Sequence, residues 1–255
     1  MVISTRPCDS FPQPQPYPVP EQRNSPLSTH FQGPAGEART WTAQLLQRMR
    51  WYLWLKAAGI SLFMWVFFVA YFHLLRNPVF PVLQMPLTAL DRAIPFQPAT
   101  VMAYLSLWLY VGIAPGLLLS LRQLIVYGMW IGGLCLTGLA CFYFFPTAVP
   151  SLVPDPDSVR HPAFALLLGV DAAGNACPSL HVATAMYSAI WVDRLLREIS
   201  APRTLQALNG GWLLLIVYST LATKQHVVLD VLAGAPLGVL FALASLRWRP
   251  GGPRV

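Results

Sequence analysis

The chain has 255 residues, of which 55% are hydrophobic and only 11% charged, with a mean hydropathy of +0.51. That balance excludes an ordinary water-soluble domain. The formal charge of +7 would suit a nucleic-acid partner, but the basic residues are distributed loop by loop rather than gathered in a patch, so nucleic acid is not expected to bind.

Residues 1–36 contain a proline-rich run from Pro7 to Gln22 and no apolar core of a secretory signal, and are expected to form a disordered cytoplasmic tail. Over residues 37–56, Trp41, Leu45, Leu46, Met49, Trp51, Tyr52 and Trp54 alternate with Arg48, Arg50 and Lys56. Indoles settle at headgroup level and cations meet anionic lipid, so this segment reads as an interfacial amphipathic helix.

A span needs roughly 20 mostly apolar residues, and six stretches qualify: 57–75, 100–120, 124–145, 180–196, 205–223 and 226–246. The expected fold is therefore all-α, a polytopic six-span helical bundle over residues 57–247, with a cytoplasmic tail at 248–255. The fourth stretch is the weakest, because Asp193, Arg194 and Arg197 crowd its far end; an interfacial helix is its alternative. Arginine and lysine sort to one side of this frame. Arg39, Arg48, Arg50, Lys56, Arg122, Arg194, Arg197, Arg203, Arg247, Arg249 and Arg254 lie on one side, and Arg76, Arg92, Arg160 and Lys224 on the other. The positive-inside rule makes the first side cytoplasmic and places both termini there, with the other loops in the periplasm or a lumen.

The longest connection, residues 146–179, carries Pro146, Pro150, Pro154, Pro156, Pro162 and Pro178; a loop of that length is functional or disordered. Of the four cysteines, Cys8, Cys135, Cys141 and Cys177, none stands at a spacing that reads as a disulfide framework or zinc site.

Ionisable residues at span ends read as functional by default. One group runs from Asn175 to Val182, where Pro178 and Ser179 open a helix with His181 in its first turn. The other runs from Ser219 to Gly234 and contains Lys224, His226 and Asp230. His226 and Asp230 are four residues apart, one helical turn, so the carboxylate can accept the imidazole Nδ1 proton and leave Nε2 as a nucleophile or base. The alternative is a capping histidine and an aspartate paired with Lys224. The fourth and sixth spans both start on the extracytoplasmic side, which brings His181 and His226 to the same membrane face, where free helix amides favour an anion. Two histidines, one buttressed by a carboxylate, suit a two-step phosphoryl transfer.

Pro178, Ser179, Leu180 and His181, followed about 45 positions later by His226 and then Asp230, resemble the second and third signatures of the type 2 phosphatidic acid phosphatase superfamily. Ser219 and Thr220 stand where that family has serine and arginine, and Leu180 where it has glycine. Both departures, with the element from Phe145 to Pro150, resemble the branch of inositol phosphorylceramide synthases and their bacterial relatives. The family's first signature, a lysine and an arginine before proline, has no clean match, and Ser151 follows Pro150.

The resemblance implies that His226 attacks phosphorus, Asp230 orients it and His181 protonates the leaving alkoxide, with a phosphohistidine between the two steps. Lys224, Arg160, Ser179, Ser219 and Thr220 are the candidates for holding the substrate. No metal or other cofactor is expected. The expected partners are the bilayer and a phosphorylated lipid or prenyl-type phosphate, and the oligomeric state is left open. Phosphatase is the favoured activity, headgroup transfer to an acceptor lipid the near alternative, and a transporter or scaffold the lesser one. The expected location is a bacterial inner membrane with the site on the periplasmic face.

Overall fold

The computed structural model describes residues 40–152 and 174–248. All of them lie in the unit Arg39–Val255. The proline-rich tail 1–36, Arg160 and the end of the chain from residue 249 lie outside the described residues.

The described part is mostly helical. Thr40 starts α1 (Trp41–Arg50), its hydroxyl accepting from Ala43 N at 3.3 Å. This segment is shorter than the interfacial helix expected over 37–56. Tyr52, at φ 52°, breaks the chain, and α2 (Leu53–Arg76) takes Lys56 into its first turns. The Lys56 ammonium donates to Arg48 O and Gly116 O, each at 2.8 Å, which satisfies its charge by tying α1, α2 and the end of the second span together.

The second predicted span is broken. After a short α3 (Ala89–Ala93) and a 3-10 turn at Pro98–Thr100, α4 (Val101–Tyr110) gives way at Val111 and Gly112 to a single turn, α5 (Ile113–Gly116). Pro115 supplies no N–H, and the helix ends at Gly116 rather than running to residue 120. Ser120 caps α6 (Leu121–Phe144) through Gln123 N at 3.1 Å. Then follow α7 (Leu180–Glu198), α8 (Arg203–Ala222) and α9 (Val228–Arg247).

Among the described residues, five helical stretches are long and apolar enough to cross a membrane: Leu53–Arg76, Pro98–Gly116, Leu121–Phe144, Arg203–Ala222 and Val228–Arg247. Together they make the chain an integral membrane protein. The fourth predicted stretch is helical, as α7, but is not among the five. Its burial explains its composition: α7 packs against α4, α5, α6, α8 and α9, and Val182, Ala183, Ala185, Tyr187 and Ser188 are fully buried. A helix sheathed by other helices does not meet lipid, so small and polar residues cost little there. In contrast, α2, α4, α6, α8 and α9 display Trp65, Leu109, Leu136, Leu214 and Leu240 outward.

The closest helix contact is between α7 and α9. A Cβ on Gly234 would strike Ser179 O, and one on Gly238 would strike Ala183 O. These two glycines, four residues apart, let the backbones meet as small residues do in membrane interfaces. At the other end of the same contact, Trp191 Nε1 donates to Ser245 Oγ at 2.8 Å. On α6, Gly138 leaves the space that Leu180 fills, because a Cβ there would lie 2.7 Å from Leu180 Cγ.

Two short strands interrupt the all-α pattern. β1 (Leu83–Gln84) pairs in parallel with β2 (Thr147–Ala148), in the register Leu83 to Thr147 and Gln84 to Ala148. Ala148 also bridges Gly174, and Cys177 N donates to Thr147 Oγ1 at 2.9 Å. The element from Phe145 to Pro150 thus props the loop that enters α7.

Gly234→Ala is expected to cost about 1–3 kcal/mol by forcing α7 and α9 apart. Gly210→Ala, where a Cβ meets nothing within 4 Å, is expected to be neutral or slightly stabilising. Thermal unfolding of the two purified variants in one detergent checks the contrast.

Candidate active site

Four helix ends converge on the histidines. Ser179 is the N-cap of α7, its Oγ accepting from Val182 N at 3.3 Å, and His181 follows in the first turn. Its Nε2 lies 2.9 Å from Tyr104 O on α4. A carbonyl only accepts, so Nε2 carries the proton and Nδ1 is the free nitrogen of the neutral ring. Tyr104 also stacks on the imidazole, with ring centroids 3.9 Å apart and planes 14° apart. The orientation of His181 is therefore set from α4, a span in which the sequence shows no polar motif.

His226 precedes α9 rather than opening it. The helix starts at Val228, so the predicted shared helical face is replaced by a cap. Lys224, at φ 59°, turns the chain out of α8, and His226 N donates to Thr220 O at 3.1 Å. Asp230 is the third helical residue and folds back, Oδ2 accepting from Val227 N at 3.0 Å. The same oxygen stands 3.4 Å from His226 Nδ1. His226 Nδ1 and Asp230 Oδ1 are buried and have no hydrogen-bond partner among the described residues. At 3.4 Å the pair is long for a hydrogen bond, and a small rotation of the imidazole closes it, a looseness common before substrate binds. Asp230 is fully buried and its backbone oxygen accepts from Ser179 N at 3.1 Å, so one residue serves His226 through its side chain and α7 through its backbone.

The His181 and His226 ring centroids are 6.4 Å apart. Both rings line a cavity of about 280 Å³ together with Asn175 and Thr184. Asn175, at φ 51°, adopts a conformation that asparagine tolerates, and its amide donates to Tyr71 O at 3.2 Å.

Two of the amides at the α9 start are already engaged. Val227 N is taken by Asp230, and Val228 N donates to Asp91 Oδ1 at 2.8 Å. Asp91, buried in α3, also accepts from Thr88 N and Thr88 Oγ1, each at 2.7 Å. Its backbone oxygen and Ile94 O receive the Lys224 ammonium at 2.9 and 2.6 Å. Burial lowers the Lys224 pKa while the Asp91 charge raises it. Two of the three ammonium protons are thus committed to the 88–94 loop.

The remaining sequence candidates are also engaged. The fully buried Ser219 and Thr220 donate to Ile216 O at 2.6 Å and Val217 O at 2.8 Å within α8. Asp91 and Tyr104 were not expected from the sequence: a loop aspartate and a span tyrosine carry no spacing signal, and only tertiary packing brings them to the motifs.

Residues 127–253 match the model of the PAP2 superfamily. That family is made up of phosphoesterases. The PAP2 stretch begins inside α6 and contains α7, α8 and α9, and with them Ser179, His181, Ser219, Thr220, Lys224, His226 and Asp230. Tyr104 and Asp91, which hold two of its parts in place, lie outside it. Comparison with curated proteins and with solved structures gives no match.

Asp91→Ala leaves Val228 N and Thr88 without their acceptor and is expected to destabilise by about 1–3 kcal/mol. Asp91→Asn keeps one carbonyl oxygen and should lose less; thermal unfolding ranks them. Burial, with the Asp230 charge adding to it, pushes the Cys177 thiol up to about 11. In a variant whose only cysteine is Cys177, iodoacetamide should react slowly at pH 8, where on the order of one thiol in a thousand is ionised. The rate should climb about tenfold per pH unit below pH 11, and Asp230→Asn should shift the whole profile to lower pH.

Proposed function

We propose that the protein is a membrane-embedded phosphatase of lipid or prenyl-type phosphates that works through a phosphohistidine. The observation that carries this reading is the pair of histidine rings 6.4 Å apart in one cavity, with a fully buried carboxylate beside His226.

His226 Nε2 attacks phosphorus while Asp230 holds Nδ1–H. The bond from phosphorus to the ester oxygen breaks; His181 Nδ1, free in the resting ring, takes the proton of the monoanionic phosphate ester and passes it to the departing alkoxide. His181 Nδ1 then takes a proton from water, whose oxygen attacks phosphorus; the N–P bond breaks and phosphate leaves. Throughout, Tyr104 O keeps the other His181 nitrogen protonated, which fixes the tautomer the second step needs. Lys224 keeps one proton for a phosphoryl oxygen, and Arg160 remains a candidate for another.

The charge distribution supports a site facing away from the cytoplasm. Arg48, Arg50, Lys56, Arg122, Arg194, Arg197, Arg203 and Arg247 lie at the helix ends opposite the histidines, whereas Arg76, Arg92 and Lys224 lie at the site's end.

Supplying purified protein with labelled phosphatidic acid, prenyl diphosphate, or ceramide with a headgroup donor tests the activity. Free phosphate is the expected product, and a new phospholipid would mean transfer instead of hydrolysis. His226→Ala and His181→Ala should each lose turnover by at least about a hundredfold. Wild-type turnover in both folded variants would overturn the catalytic assignment.

A further inference from the structure

The cavity that contains the histidines does not stop at them. It runs down between α2, α4 and α6 and is walled by Phe63, Phe68, Tyr104, Trp108, Val111 and Ile131, among other apolar residues. The helix directions give its depth. Tyr71 meets Phe142 at 6.1 Å and Tyr104 stacks on His181, so Phe72, Tyr104 and Phe142 mark the site's end. The lining residues farthest from that end are Phe63, nine positions down α2, Val111, seven beyond Tyr104, and Ile131, eleven before Phe142. At about 1.5 Å per residue the α2 and α6 walls are roughly 14 to 16 Å long, half of the ~30 Å hydrocarbon layer.

We propose that this cavity is a slot for a single hydrocarbon chain of the phosphorylated substrate, and that Phe63, Val111 and Ile131 form a floor that sets how long a chain is read. The inference rests on the phosphatase reading for the identity of the headgroup. Three observations carry it. The slot is continuous with both histidines, so a chain lying in it delivers its own phosphate to His226. Its volume of about 280 Å³ is small for a ligand cleft. A narrow apolar cleft of that depth suits one extended hydrocarbon chain laid along it.

The third observation is the wall between α2 and α4. Phe68 and Trp108 touch edge to face at 5.6 Å, and both line the cavity. A second chain of a two-chain lipid would have to stay outside it. The arrangement therefore favours single-chain phosphates, or lipids of which one chain alone enters. At the mouth, the Arg76 guanidinium sits 5.5 Å over the Phe72 ring, a cation on the headgroup side of an otherwise apolar passage.

The test is a series of straight-chain alkyl monophosphates of increasing length, with kcat/KM as the readout. Each methylene buried in the slot should raise kcat/KM roughly fourfold, and the rise should break where the chain reaches the floor. Phe63→Ala should move the break to longer chains and Val111→Trp to shorter ones. A rise without a break, or a break at the same length in all three proteins, would overturn the slot. If neither the alkyl phosphates nor phosphatidic acid and prenyl diphosphate are turned over, the hydrolytic reading fails. The slot is then judged by a photoreactive alkyl phosphonate. Labelling of Phe68, Leu107 or Ile131 supports it; labelling confined to lipid-facing Leu62 and Trp65 overturns it.

Discussion

The contact between α7 and α9 determines almost everything at the end of the bundle that holds the two histidines. Gly234 and Gly238 let Ser179 O and Ala183 O approach the backbone of α9, and Ser179 N closes on Asp230 O at 3.1 Å. The two signature segments, about 45 residues apart in sequence, become neighbours through main chain alone. Backbone-to-backbone approach holds its distance more strictly than contact between long side chains does, because no rotamer can absorb an error. The separation of the His181 and His226 rings is inherited from that approach.

Around this contact the protein adds props from outside the paired motifs. Tyr104 comes from α4, Thr147 from the short strand after α6, and Asp91 from the loop between α2 and α4. Each meets a polar group of the α7 or α9 entrance that would otherwise be buried unpaired: the His181 ring nitrogen, Cys177 N and Val228 N. Unmet hydrogen-bonding groups are costly in a low-dielectric interior. Hence the loops at this end are built as supports, and a mutation in them acts on the histidines at second hand.

How far the sequence reveals this varies by element. The apolar runs of α2, α6, α8 and α9 are plain in the composition, because those helices face lipid and must be uniformly hydrophobic. The α7 helix is the hardest to read, since its neighbours supply its surroundings and its own side chains need not. The proximity of His226 and Asp230 follows from their spacing, but the reason differs: a helix cap joins them instead of a helical face, and both separations are four residues. The supports from Asp91 and Tyr104 leave no trace in sequence, because they depend on which loop lies against which helix end. Leu180 and Gly138 show the same point in reverse. A departure from the family's glycine at one position is accommodated by a glycine on another helix, visible only once the helices are packed.

The sheathing of α7 also bears on how the protein is made. A segment carrying Asp193, Arg194 and Arg197 near one end gains too little from lipid to settle in the bilayer by its own partitioning. Its main partner, α9, follows it along the chain and emerges from the ribosome later. Insertion of α7 is consequently tied to the arrival of helices made after it. The paired-histidine site, which needs both, forms only once α9 has been threaded.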